Sequence, residues 1–183
     1  NEISFTYVRL MRLLPTIIKR MAGDFTKRVL NRQQKEANVI NAQLALVANA
    51  QGTPPGPCVC EEADAIVENI YHEERAATTR EARTIAVIQG LKIARTYLIR
   101  AWGRLIGTLS EDADQAFLET AHALQRKEAD LFRELVLLGQ QLETVPQGTH
   151  ALHGGRRTKR LSSRQFGRLR FSSTKGGPPH KGN

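Results

Sequence analysis

The stretch FLETAHALQRKEADLFRELVLLGQQL, residues 117–142, decides the fold of this chain. Its apolar residues recur at spacings of three and four, which places them on one face of an α-helix. They are Phe117, Ala121, Leu124, Leu131, Leu135, Leu138 and Leu142. Ser110 is a suitable N-cap upstream, and Pro146 ends the pattern, so the sequence predicts one long amphipathic helix here.

The same periodicity predicts two helices near the start of the chain, over about residues 3–22 and 25–50. Pro15 lies inside the first pattern and predicts a kink or a late helix start. Gly23 and Asp24 predict a break followed by an N-cap.

A loop and two further helices follow. Residues 51–57 contain two glycines and three prolines and predict a loop. A shorter helix is expected over residues 61–74. A long one then begins at Thr78 or Thr79, and Glu81 would complete a capping box if Thr78 were the cap.

Four long helices, one short helix and no strand pattern predict an all-α protein whose body is an antiparallel four-helix bundle over residues 1–146. Aromatic residues make up only 5% of the chain, which disfavours a β-sandwich. Cys58 and Cys60 are poorly placed to form a disulfide with each other, so a reducing, intracellular compartment is expected. They are interpreted as free loop thiols.

The net charge of +9 belongs to the last 37 residues. Residues 147–183 contain nine basic and no acidic residues, and the remaining 18 basic residues are balanced by 18 acidic ones. The tail cations are Arg156, Arg157, Lys159, Arg160, Arg164, Arg168, Arg170, Lys175 and Lys181. With few apolar residues and many glycines, this tail is expected to be disordered alone. Its alternation of arginine with phenylalanine and leucine suits an RNA partner.

Several short segments in order resemble the ferritin-like YciE/YciF-type family of bacterial stress-response proteins. They are Leu13-Leu14-Pro15, the Gly-Pro loop with its cysteine, Arg83-Thr84-Ile85-Ala86 and Ala101-Trp102-Gly103. The resemblance covers about residues 3–142. It implies a ferritin-like bundle whose inward carboxylates and histidine hold two metal ions, since two close cations need several anionic oxygens and imidazoles.

Most of those ligand positions carry other residues in this chain. Tyr7, Arg95 and Leu98 stand where the family has carboxylates or a histidine, and Ile40 stands near an expected histidine or glutamine. Glu36 and Glu128 are retained. The resemblance therefore implies a bundle that has kept the fold and lost the metal. If the register is shifted by a residue or two, the alternative ligands are Glu36, Glu68, Glu119, His122 and Glu128.

The expected function is thus non-enzymatic: a structural or adaptor subunit whose tail docks on RNA in a large assembly, such as a mitochondrial ribosome. The alternative is a ferritin-like protein that binds iron or manganese and handles iron or peroxide. A homodimer without ligands is a third interpretation. The compartment is expected to be the cytoplasm or the mitochondrial matrix.

Overall fold

The computed structural model describes residues 2–21, 23–50, 52, 59–109 and 115–144. This part of the chain is helical, with five α-helices and no strand, which confirms the predicted all-α bundle. The helices are α1 (Glu2–Ile18), α2 (Asp24–Ala50), α3 (Glu61–Ala76), α4 (Arg80–Thr108) and α5 (Gln115–Thr144). None of these helices is long and apolar enough to cross a membrane. The basic tail lies outside the described residues.

The long helices form two antiparallel hairpins. In the first hairpin, Ser4 near the start of α1 donates a hydrogen bond of 3.0 Å to Asn41 in the second half of α2. In the second hairpin, Ile88 near the start of α4 lies against Gly139 near the end of α5. Each pair of helices is joined by a short connection, as antiparallel neighbours in a bundle require.

The hairpins pack on each other, again with antiparallel neighbours. Arg32 of α2 pairs with Glu134 of α5 at 3.2 Å, and Glu36 pairs with Lys127 at 2.6 Å, so α2 and α5 run in opposite directions. On the other side of the bundle, α1 packs against α4. The four helices therefore enclose one core.

Helix α3 is the crossover that this arrangement needs. Helices α2 and α4 point the same way, so the chain must return along the bundle between them. The Arg20–Glu74 pair joins the chain just after α1 to the last part of α3, so α3 runs parallel to α1 and packs on α1 and α4. Its 16 residues span about 24 Å. A single long crossover distinguishes ferritin-like bundles from simple up-and-down bundles.

The helix starts agree only in part with the sequence predictions. Pro15 lies inside α1, which begins at Glu2, so of the two alternatives predicted from this proline the late helix start is wrong. Asp24 is the first residue of α2 and not the residue before it. Thr79 caps α4, because its hydroxyl accepts a hydrogen bond of 3.0 Å from the amide of Ala82. With Thr79 as the cap, Glu81 is one position too early for a capping box. The expected cap Ser110 lies outside the described residues.

At Gly90, α3 and α4 lie close together. A Cβ atom at this position would lie 2.6 Å from Cγ1 and 3.3 Å from Cβ of the buried Ile70. We expect Gly90→Ala to lower the free energy of unfolding by about 1–2 kcal/mol, because overpacking outweighs the better helix propensity of alanine. Chemical denaturation followed by circular dichroism measures the change.

The same helix provides the control for this substitution. Nothing lies within 4 Å of a Cβ at the exposed Gly107, so Gly107→Ala is expected to be neutral or to stabilise by up to about 1 kcal/mol. Equal effects of the two substitutions would contradict close packing of α3 on α4 at Gly90.

Candidate functional site

A buried ion pair lies at the centre of the bundle. Arg95 of α4 and Glu128 of α5 are both fully buried. Nη1 of Arg95 donates to both carboxylate oxygens of Glu128, at 2.8 and 3.0 Å. Arginine and glutamate are rarely buried so completely unless they are paired and their remaining polar atoms are hydrogen-bonded.

Gln33 of α2 accepts hydrogen bonds from the other two nitrogens of the Arg95 guanidinium. Its side-chain oxygen accepts from Nε of Arg95 at 3.0 Å, and its backbone carbonyl accepts from Nη2 at 3.2 Å. Its amide nitrogen donates in turn to the carbonyl of Leu131 and the carboxylate of Glu134. All three nitrogens of Arg95 thus have partners inside the protein.

Tyr7 of α1 completes the surroundings of Glu128. Its hydroxyl donates to Oε1 of Glu128 at 2.7 Å and accepts from the indole nitrogen of Trp102 at 3.2 Å. Burial is the main reason that the pKa of Tyr7 lies well above its usual value, and the negative charge of Glu128 raises it further. We call Tyr7, Gln33, Arg95, Trp102 and Glu128 the central network, to which each of the four long helices contributes.

The helical period explains why these polar side chains face inward. Gln33 follows Leu30 by three residues and precedes Ala37 by four, so it belongs to the buried stripe of α2. Arg95 occupies the same kind of position between Leu91 and Leu98 on α4.

Gln33 is the residue of the central network that was not predicted from the sequence, because it lies in a stretch of six polar residues. Its spacing from Leu30 and Ala37 was the signal that could have found it. Trp102 is 1% exposed, so it packs in the core, and it also donates a hydrogen bond.

Of the alternative metal ligands, only Glu128 belongs to the central network, and the other four do not join it there. Glu36 pairs with Lys127, Glu68 is exposed and accepts from Arg9, and Glu119 and His122 are both exposed. In the described part of the chain, no three histidine, cysteine, aspartate or glutamate side chains are grouped closely enough to hold a metal ion.

The residues that do meet at the centre do not fit a dinuclear metal site. Glu128 is the only carboxylate of the central network, and its two oxygens already accept from Arg95. Tyr7 holds its proton, and Leu98 and Ile40 offer no ligand atoms. A permanently charged guanidinium beside the only carboxylate repels a divalent cation.

A second polar cluster lies nearer the end of the bundle where α1 begins. The thiol of Cys60, the N-cap residue of α3, lies 3.1 Å from the hydroxyl of Tyr97. That hydroxyl also donates to Glu2, whose carboxylate pairs with Arg104. Burial, followed by the contact with Cys60, raises the pKa of Tyr97. The cluster joins α1, α3 and α4; Cys60 is a free thiol, and Cys58 lies outside the described residues.

The raised pKa of Tyr7 predicts a loss of stability in alkali. Tyr7 ionises near pH 10 in the unfolded chain and keeps its proton in the folded one, so the free energy of unfolding falls as the pH rises above about 10. We expect this fall to be shallower in Tyr7→Phe by about 1.4 kcal/mol per pH unit, the contribution of one proton. Urea denaturation of both proteins between about pH 8 and 11.5 measures the difference.

Below pH 10 the two proteins are expected to differ by a constant amount of about 1–3 kcal/mol, because Glu128 loses one of its donors. Parallel stability curves through the alkaline range would contradict the inferred protonation of Tyr7.

The comparisons with known proteins support the fold. One solved structure, YcfI, a putative structural protein from Rhodopseudomonas palustris, is similar with a TM-score of 0.58 over 78% of this chain and 87% of that chain. No protein-family model and no curated protein matches the sequence. At 17% sequence identity, the likeness to YcfI shows a shared helical fold and nothing about function.

Proposed function

We propose that this protein is a non-enzymatic structural or adaptor subunit. The observation that carries the proposal is the guanidinium of Arg95, which fills the centre of the bundle with all its nitrogens hydrogen-bonded. A metal-dependent enzyme needs several anionic ligands and an open coordination position at that centre. This chain instead provides one carboxylate that is already neutralised.

The central network contains an internal cation, the guanidinium of Arg95, which is part of the chain. Its role is to hold four helices together, as bound metal ions do in di-metal carboxylate bundles. No iron or manganese is needed in this proposal. YcfI, which shares the helical fold, is itself described as a putative structural protein.

In this proposal, the basic tail binds the partner. Residues 147–183 carry nine cations and no anion. Each cation that neutralises a phosphate adds affinity that weakens with salt, and arginine and phenylalanine can stack on unpaired bases. We propose RNA in a large assembly as the anionic partner, with the tail as its binding element and a ribosome, cytoplasmic or mitochondrial, as the kind of assembly.

Truncation after Pro146 tests the role of the tail. Residues Asn1–Pro146 form a compact unit of their own, so the truncated chain is expected to stay helical. Binding to a single-stranded RNA oligonucleotide is measured by fluorescence anisotropy at several salt concentrations. The full chain should show a slope of about −0.7 in log affinity against log salt for each neutralised phosphate, and the truncated chain should lose binding.

A variant of full length separates charge from chain length. It carries glutamine at Arg156, Arg157, Lys159, Arg160, Arg164, Arg168, Arg170 and Lys175. It should bind as weakly as the truncated chain. Equal affinity and an equal salt slope for the truncated chain would contradict the RNA proposal, and two iron or manganese ions per purified chain would contradict the structural one.

A further inference from the structure

The outer side of the α1–α2 hairpin is a basic surface. Residues 2–50 contain eight basic and three acidic residues. Two of the acids face other helices, because Glu2 pairs with Arg104 and Glu36 pairs with Lys127. Only Asp24 is left as an acid on the outer side.

Five cations on this side form no ion pair with a described residue. Arg12 lies on α1, and Lys19 lies in the turn that directly follows this helix. On α2, Lys27, Arg28 and Lys35 lie within about 12 Å along the axis. Lys27 is half-buried and the other four are exposed. We call these five residues the basic face.

Helix α3 has the opposite charge. Its 16 residues contain six acidic side chains and one cation, Arg75, whose guanidinium lies over the ring of Tyr71. Asp64, Glu68 and Glu74 are engaged by arginines of the α1 region. The exposed carboxylates of α3 are Glu61, Glu62, Glu68 and Glu73, which we call the acidic face.

We propose that the acidic face of one copy docks on the basic face of another copy of this chain. The basic face has five cations without an ion-pair partner among the described residues, and the acidic face has four exposed carboxylates, of which only Glu68 is engaged by an arginine. A second copy of the chain therefore carries the charge that complements each face. The two faces are different patches, so the contact is heterologous and a docked pair still offers one free basic face and one free acidic face. Such a contact closes into a ring or continues as a chain of subunits.

The contact is expected to be weak and electrostatic. Exposed ion pairs contribute little individually, and salt screens them. Association should therefore appear with increasing protein concentration at about 0.1 M salt and disappear near 1 M, where the Debye length is about 3 Å. The inference goes beyond the proposed function, because it concerns the bundle and not the docking of the tail on RNA.

Charge reversal on the full chain tests the pairing. One variant carries Arg12→Glu, Lys19→Glu, Lys27→Glu and Lys35→Glu; the other carries Glu61→Lys, Glu62→Lys and Glu73→Lys. Circular dichroism and the fluorescence of Trp102 check that both variants fold. Sedimentation velocity, after nuclease treatment, should show that each variant alone is monomeric at about 0.1 M salt. A one-to-one mixture should associate again, because each reversed face then meets a complementary one.

Each other outcome overturns the proposal. If the variant with four substitutions still associates while the α3 variant does not, the basic tail and not the basic face occupies α3. If nuclease treatment alone abolishes association of the unmodified chain, nucleic acid bridges the copies. A monomer at every concentration, or a mixture that stays monomeric, excludes the contact. None of these outcomes depends on whether the truncated chain binds RNA.

Discussion

Replacing Arg95 with methionine is expected to lower the free energy of unfolding by about 3–5 kcal/mol. Methionine fills most of the arginine volume, but it leaves the carboxylate of Glu128 fully buried without a cation. An uncompensated buried charge costs far more than the ion pair itself contributes. Gln33 also loses the two hydrogen bonds that its side-chain oxygen and its backbone carbonyl accept from Arg95. Denaturant unfolding followed by the fluorescence of Trp102, the only tryptophan, measures the loss.

The matched control removes the second charge. Arg95→Met combined with Glu128→Gln leaves no buried charge and keeps an acceptor for the hydroxyl of Tyr7. We expect this double variant to regain about 2 kcal/mol or more relative to Arg95→Met alone, since the two residues are directly coupled. If Arg95→Met lost less than about 1 kcal/mol, or if the double variant were no more stable than the single one, the central ion pair would be contradicted.

Replacing Trp102 with alanine is the second large change, with an expected loss of about 3–5 kcal/mol. Trp102 is 1% exposed and is the largest of the fully buried side chains. Its removal leaves a cavity and takes away the donor to the hydroxyl of Tyr7. Circular dichroism must follow unfolding here, because the variant contains no tryptophan.

Trp102→Phe separates packing from hydrogen bonding. Phenylalanine keeps most of the buried apolar area, but it removes the indole N–H and part of the ring volume. The hydroxyl of Tyr7 still donates to Glu128, so we expect a loss of about 1–2 kcal/mol. A loss as large as that of the alanine variant would mean that the hydrogen bond, and not the volume, is the main contribution of Trp102.

The helices could be predicted from the sequence because their apolar spacing is long and regular. The α5 pattern from Phe117 to Leu142 fits a single helix, which the structure gives as Gln115–Thr144. Helix α2 ends at Ala50 and α3 begins at Glu61, on either side of the Gly-Pro run that predicts a break. The helix ends were less predictable, since Pro15 fits inside α1 and Thr79 rather than Thr78 caps α4. Local propensity alone does not decide between neighbouring caps.

The central network could be predicted only in part. The resemblance placed Tyr7, Arg95 and Glu128 at former ligand positions, and the structure brings these three into contact. The resemblance gave no reason to choose Gln33, whose contact with Arg95 joins residues 62 positions apart. A polar residue in a buried helical stripe is identified by its distant partner, which one sequence does not show.

The central ion pair also has a consequence for how the two hairpins find each other. Arg95 and Glu128 belong to the same hairpin, α4–α5, and can pair before the other hairpin docks. Gln33 and Tyr7 belong to the α1–α2 hairpin. Only when this hairpin docks can the ion pair be desolvated with all its polar atoms hydrogen-bonded. Docking displaced by one helical turn would remove Gln33 and leave Nε and Nη2 of Arg95 buried without acceptors, which costs several kcal/mol. Leucine side chains, in contrast, pack tolerably in several alignments. We therefore expect the ion pair to disfavour misaligned packing of the two hairpins.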